Sequence, residues 1–154
     1  MGDLALNHEE FMKSPFAIVS ITATFVGLSA CVSSTSSELS TALAPAASVG
    51  TWVECDSGCK IEWQRAQLWL AKHAPTKVQS ATDVQLQTYN PPEQHAWYGF
   101  SIMKEPIGGD RYKISATLGC GNFIGCSPKA VDVRNALLYY VKTGDDLLGE
   151  RRLK

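Results

Sequence analysis

The feature that most constrains this chain is an uncharged apolar run, Phe16 to Ala30, that ends at Cys31. It is 15 residues long and contains hydroxyls at Ser20, Thr22, Thr24 and Ser29. A helix crossing a bilayer needs about 20 predominantly apolar residues, so the run is short for a permanent span and suits the core of a cleaved signal peptide. It has neither a charged face nor capping residues, which argues against a buried amphipathic helix. Residues 1–30 are therefore set apart from whatever folds. The residues ahead of the run carry Asp3, Glu9 and Glu10, where an export signal carries positive charge. Met12-Lys13 makes a conventional start, so residues 1–11 read as a dispensable extension or as lying upstream of the true start.

The run closes on Leu28-Ser29-Ala30-Cys31. Small residues before a single cysteine, at the end of a short apolar segment, resemble the lipobox of bacterial lipoprotein precursors. The resemblance covers residues 12–31. It implies diacylglycerol transfer to the Cys31 thiol, cleavage after Ala30 and acylation of the new amino group, with the processing and sorting machinery as obligatory partners. Two or more acyl chains anchor a protein stably to a membrane. Residue 32 is Val; the absence of an inner-membrane retention Asp there implies the outer membrane, facing the periplasm.

Removing residues 1–30 takes away three acidic side chains and Lys13, so the net charge moves from -1 to near +1. Nucleic-acid modules concentrate basic residues on one face. The basic cluster here is Arg151-Arg152 with Lys154, so no nucleic-acid partner is expected. Residues 31–50 are dominated by Ser, Thr and Ala, with one Pro and one charge. They read as a lipidated cysteine and a flexible tether with an r.m.s. span of roughly 20–25 Å. The stretch around Ser37 to Leu43 is the part able to form a transient helix.

Residues 51–144 carry the folding pattern, and residues 145–154 read as a frayed charged tail. Thr51 to Glu54 is a β-prone entry and Asp56-Ser57-Gly58 a turn. Lys60 to Ala74 predicts a helix with Trp63, Ala66, Leu70 and Ala74 on one face, flanked by Trp69 and His73, and stopped by Pro75. Val78 to Thr82 is a short strand candidate. Val84, Leu86 and Thr88 alternate with Gln85, Gln87 and Tyr89, and Ala96, Tyr98, Phe100 and Ile102 with Trp97, Gly99, Ser101 and Met103. Ile107-Gly108-Gly109-Asp110 reads as a hairpin turn. Beyond it, Tyr112, Ile114, Ala116 and Leu118 point inward while Arg111, Lys113, Ser115 and Thr117 meet water. A last helix opens at Ser127-Pro128, presents Val131, Leu138 and Val141 with Leu137, Tyr139 and Tyr140, and ends at Gly144.

The expected fold is α+β: a curved antiparallel sheet of about four strands with two helices on one face, in the order β-α-β-β-β-α. The W-x-x-A-x-x-W-L-x-x-x-A helix followed by hairpins is similar to the small TBP-like or helix-grip domains of envelope lipoproteins, one of which belongs to the barrel-assembly machinery. That resemblance spans residues 50–143 and carries over no functional residue.

Four cysteines remain after Cys31. In an exported chain pairing is the default. Cys55–Cys59 and Cys120–Cys126 are favoured, each closing a Gly-containing loop at a helix entrance. A cross-link such as Cys55–Cys126 is the runner-up, and a four-thiolate zinc site fits the first spacing better than the second. No nucleophile–base motif, phosphate loop or metal-binding helix motif is present, so neither catalysis nor a cofactor nor a metal is expected. Tyr89, His95, Trp97, Arg111 and Lys113 are the candidate binding patch. The reading is a non-enzymatic structural or protein-interaction lipoprotein of the cell envelope with an envelope protein partner. Its rival is a lipoprotein that binds a small ligand or cell-wall glycan.

Overall fold

The computed structural model describes residues 35–153, with side chains from Glu38 onward. Cys31, residues 1–30 and the proposed start at Met12 lie outside the described residues. The fold is one five-stranded antiparallel sheet and three helices. In chain order these are α1 (Thr35–Leu43), a 3-10 turn (Ala44–Ser48), β1 (Trp52–Cys55), a 3-10 turn (Ser57–Cys59), α2 (Lys60–His73), β2 (Val78–Ala81), β3 (Gln85–Thr88), β4 (Tyr98–Gly108), β5 (Arg111–Cys120) and α3 (Ala130–Thr143). The spatial strand order is β1-β5-β4-β3-β2. The expected α+β architecture is present, with one strand more than foreseen because Val78–Ala81 pairs with β3 as the sheet edge.

The two long strands are the spine. Tyr98 to Pro106 face Cys120 back to Tyr112 without interruption, and Gly108 pairs with Arg111 across a Gly109-Asp110 turn. Gly108 and Gly109 have φ of 103° and 63°, the region glycine enters at no steric cost. Period-2 alternation sends Tyr98, Phe100, Ile102, Ile114 and Ala116 into the core and leaves Ser101, Met103, Ser115 and Thr117 on the open face. Where β3 ends, buried Thr88 replaces the ladder: its hydroxyl accepts from the Phe100 N–H at 2.9 Å and donates to the Tyr89 carbonyl at 3.3 Å.

Helices α2 and α3 pack against each other and cover the inner face. Trp63, Ala66, Trp69, Leu70 and His73 are buried, as the helical spacing requires. Trp69 meets Phe100 edge-on at 5.7 Å and the His73 ring at 4.8 Å. The Trp63 indole N–H donates to the Thr82 carbonyl at 3.1 Å, tying α2 to the end of β2. The Arg65 guanidinium donates to the Val141 and Lys142 carbonyls at 3.1 Å each, satisfying carbonyls that the end of α3 leaves free. Gly144, at φ 88°, ends α3 as expected; a Cβ there would lie 3.2 Å from Arg65.

Three expectations are corrected. The tether is shorter: α1 and the 3-10 turn are ordered on α3, and Leu43 and Ala46 are buried. Apolar Leu39, Leu43, Ala46 and Val49 recur in the Ser/Thr/Ala-rich stretch at intervals that give it a contact face. The last helix starts two residues later than Pro128, with Lys129 at its N-cap; Leu137, Leu138, Tyr140 and Val141 are buried as expected, joined by Val133 and Ala136, whereas Val131 is exposed. Pro128 is used differently, its carbonyl accepting from the Tyr98 hydroxyl. Burial, then the Asp132 charge, raises the Tyr98 phenol above its ordinary pKa.

The third correction concerns the segment expected to be a frayed charged tail, residues 145–154: of it, residues 145–153 are described, and they are packed on the domain. Leu148 and Leu153 are buried, and the Leu153 N–H donates to the His73 carbonyl at 3.0 Å. His73 holds the segment with both ring nitrogens, Nδ1 at 2.6 Å from the Arg151 carbonyl and Nε2 at 2.9 Å from Asp146 Oδ2. Each ring nitrogen thus has an oxygen of the C-terminal segment within hydrogen-bond distance. Lys72 adds a third contact to Asp146 at 3.4 Å. Burial works to raise the Asp146 pKa, but the hydrogen bond and charge of His73, the Leu148 N–H and Lys72 outweigh it and hold the carboxyl below its ordinary value.

A carboxyl depressed in the folded state stabilises above its unfolded pKa, and that contribution is lost as pH falls through the lower folded value. Thermal melts of the wild-type protein are expected to fall on acidification below the ordinary carboxylate range, around pH 4. Asp146→Asn should lower stability by about 1–3 kcal/mol at neutral pH, because a buried ring nitrogen loses its charged partner, and should flatten this acid limb. A variant whose melts keep the full wild-type acid dependence would show that Asp146 does not carry it.

Candidate functional site

Among the described residues, no helix covers the sheet's outer face. Its residues follow from the register: Trp52, Ser115, Met103 and Gln85 form one row across β1, β5, β4 and β3, and Thr117, Ser101 and Gln87 the next. Trp52 is 52% exposed and Met103 37%. The face is mixed, with two apolar side chains set among hydroxyls and amides.

Toward the Cys120 end the face becomes a cleft of about 370 Å³. Gly99 and Gly119 oppose each other across β4 and β5, so the floor lacks side chains. Gln87, Ser101 and Thr117 stand on one side, and Asn90, Pro91 and Glu93 of the loop after β3 on the other. The loop is seated by Pro91, which fills the notch between Gly99 and Gly121. A Cβ on Gly121 would fall 2.8 Å from Pro91 Cγ, and one on Gly99 3.0 Å from Pro91 Cδ. A Cβ on Gly119 would meet nothing within 4 Å.

The sequence-derived patch divides in two. Trp97 continues the β4 register opposite Gly121, whose N–H donates to the Trp97 carbonyl at 3.0 Å. The half-buried Trp97 ring lies 4.6 Å from the His95 ring, tilted by 54°, and Tyr89, 53% exposed, follows β3 near the same end of the sheet. Arg111 begins β5 at the hairpin, ten residues away, or about 33 Å along a strand. Lys113 also lies there and pairs with Glu105 at 2.9 Å. Tyr89, His95 and Trp97 therefore share one end, and Arg111 and Lys113 belong to the other.

The cysteines pair as Cys55–Cys59 and Cys120–Cys126. Cys55 faces Tyr112 in the β1–β5 register, so the two disulfides sit about eight residues, or about 26 Å, apart along β5. That separation rules out both the Cys55–Cys126 cross-link and a zinc site made by all four thiolates. Among the described residues no His, Cys, Asp or Glu cluster has the grouping of a metal site. At the hairpin end, Lys104 reaches the core face of the sheet, donates to the Gly58 carbonyl at 3.2 Å and lies 5.3 Å from the Trp63 ring and 5.7 Å from Tyr112.

The Cys120–Cys126 loop displays what the patch omitted. Phe123 is 95% exposed and Ile124 80%. Asn122 shapes the tip, its side-chain oxygen accepting from the Ile124 N–H at 2.9 Å. An apolar pair inside a Gly-bounded turn was a visible signal, since turns of this length are usually polar. Asp146 was missed as well, because nothing in a charged tail names its partner on a distant helix.

Comparison with known proteins finds no matching family model, no matching curated protein and no matching solved structure. Among the described residues no helix is long and apolar enough to cross a membrane.

Gly121→Ala is expected to unseat Pro91 and cost about 1–3 kcal/mol, the range of an overpacked contact. Gly119→Ala, whose Cβ enters open space, should leave the chemical denaturation midpoint near wild type. Equal losses for the two variants would contradict this geometry of loop and floor.

Proposed function

We propose that this chain is a lipid-anchored, non-enzymatic interaction module of the cell envelope, held by acyl chains on Cys31 at the outer membrane and facing the periplasm. The observation that carries the interaction reading is the disulfide-closed loop that holds Phe123 and Ile124 in solvent. Large apolar side chains on a constrained tip lose little conformational entropy on binding, which makes them suitable anchors for a protein partner. The two disulfides within the fold agree with an oxidising compartment, as the Leu28-Ser29-Ala30-Cys31 pattern implies. Three residues, Val32 to Ser34, separate Cys31 from α1. Their covalent limit is about 10–11 Å, so with α1 docked the tether is far shorter than a 20-residue coil.

The glycine-floored cleft supports a second reading, a site for a small neutral polar ligand such as a cell-wall glycan. Its walls offer amides, hydroxyls and one carboxylate, which match hydroxyl-rich ligands.

Cys31→Ser is expected to leave the precursor uncleaved and without incorporated radiolabelled palmitate; efficient maturation of that variant would refute the lipid anchor. A photo-crosslinker at Phe123 in native membranes should capture an envelope protein, and Phe123→Asp should not impair folding. Recovery of only the export and sorting machinery would remove the support for the interaction reading. If soluble peptidoglycan fragments bind wild type but not Gly119→Val, the cleft reading prevails.

A further inference from the structure

β5 has ten residues, and β1 covers its outer side only from Tyr112 to Ser115. Gly50, at φ 86°, turns the preceding chain off the sheet and onto α3. Beyond Ser115, β5 pairs with β4 on one side and, among the described residues, with no strand on the other.

The direction of the free backbone groups follows from the register. In an antiparallel ladder a residue's N–H and C=O point to the same neighbour, and the direction alternates along the strand. Gly121 donates to Trp97, so the odd-numbered residues of β5 point toward β4. Ala116, Leu118 and Cys120 therefore point outward. Phe100, opposite Leu118, donates away from β5 to the Thr88 hydroxyl, as this alternation demands. A row of unpaired N–H and C=O groups is a template for another strand.

A groove of about 210 Å³ runs beside this edge, between Ala116, Thr117 and Leu118 on β5 and Ala130, Val131 and Arg134 on α3. Val131, in the first turn of α3, is 45% exposed. The Arg134 guanidinium bonds the side-chain oxygen of its neighbour Asn135 at 3.2 and 3.3 Å, and among the described residues no carboxylate pairs with it. The two walls are joined by the loop that carries Phe123 and Ile124.

We propose that this edge and groove dock an extended segment of a partner protein, which adds to β5 as a strand in line with β1. The segment places an apolar side chain between Leu118 and Val131 and a carboxylate on Arg134. The outward groups of Leu118 supply main-chain hydrogen bonds, and the groove selects alternate side chains, the division of labour of strand addition. A helical ligand would leave the edge groups unpaired, and the Arg134 fork matches a carboxylate bidentately. This deepens the interaction reading above by naming the class of partner.

The test uses the full-length chain in detergent. A phage-displayed library of random nonapeptides is selected on it, and the enriched sequence is made as a synthetic peptide. Enriched sequences should alternate apolar residues and carry an acidic side chain or free C-terminal carboxylate. The bound peptide should slow exchange of the Leu118 amide at least about tenfold, as expected for a newly paired edge group. Val131→Asp, at an exposed position, should weaken binding about tenfold or more, and Arg134→Gln about fivefold, the second loss vanishing when the carboxylate is replaced by an amide. Failure to enrich any sequence, unchanged affinity in Val131→Asp, protection confined to the open sheet face, or a dimer whose second copy protects Leu118 would each overturn the proposal. If Val131→Asp retains the envelope protein crosslinked through Phe123, the edge is refuted and the interaction reading stands. If the peptide binds as expected but no envelope protein is captured, the edge stands and the envelope reading falls.

Discussion

Trp69 is the contact on which the arrangement depends. It is almost wholly buried, edge-on to Phe100 of the sheet and against the His73 ring one helical turn on. A tryptophan at this position sets both the height and the rotation of α2 over β4, since aromatic pairs hold preferred geometries and bury large areas. That rotation aims His73 at the C-terminal segment, whose Asp146 and Arg151 carbonyl it engages. It also lets Arg65 reach the end of α3. The helix layer, the α3 terminus and the segment from Asp145 to Leu153 are thus registered to the sheet through one side of one helix.

What was legible in the chain was what periodicity encodes. The α2 face from Trp63 to His73, the alternation of β4 and β5 and the Gly108-Gly109 reversal each rest on local spacing, and each is found in the fold. The local disulfides were legible for the same reason, because five- and seven-residue segments bring their ends together with little choice. What stayed hidden depends on partners far away in sequence. Leu43 and Ala46 are ordinary linker residues until α3 supplies a surface, and Asp146 is one more tail charge until His73 lies under it. The candidate patch is divided for the same reason: Arg111 and Trp97 lie near each other in sequence, but β4 carries the chain the full length of the sheet between them.

The two ends of the sheet are built for different purposes. At the hairpin end two lysines are engaged locally: Lys113 meets Glu105, and Lys104 lies over Trp63 and Tyr112 with its ammonium on the Gly58 carbonyl. Such pairing leaves little for a partner to use. At the Cys120 end, glycines open the sheet surface, Pro91 seats a loop on it, and a disulfide closes a turn with apolar residues at its tip. Among the described residues, no strand pairs with the outward backbone groups of Leu118 and no carboxylate meets Arg134, and exposed Val131 lies in the same neighbourhood.

This asymmetry explains why β1 is short. Had it continued past Trp52 along β5, the strand would have covered Leu118 and removed both the free edge and access to the groove beside α3. Instead Gly50, in a conformation other residues rarely adopt, diverts the chain into the 3-10 turn that buries Ala46 against α3. The same diversion therefore fixes the N-terminal helix to the domain and, among the described residues, leaves half of β5 without a strand on its second side. Stability would favour a longer β1, since each added pair brings ladder bonds and cross-strand contacts. An edge kept open next to a constrained apolar loop is costly in aggregation risk, and a partner strand accounts for both features with one contact.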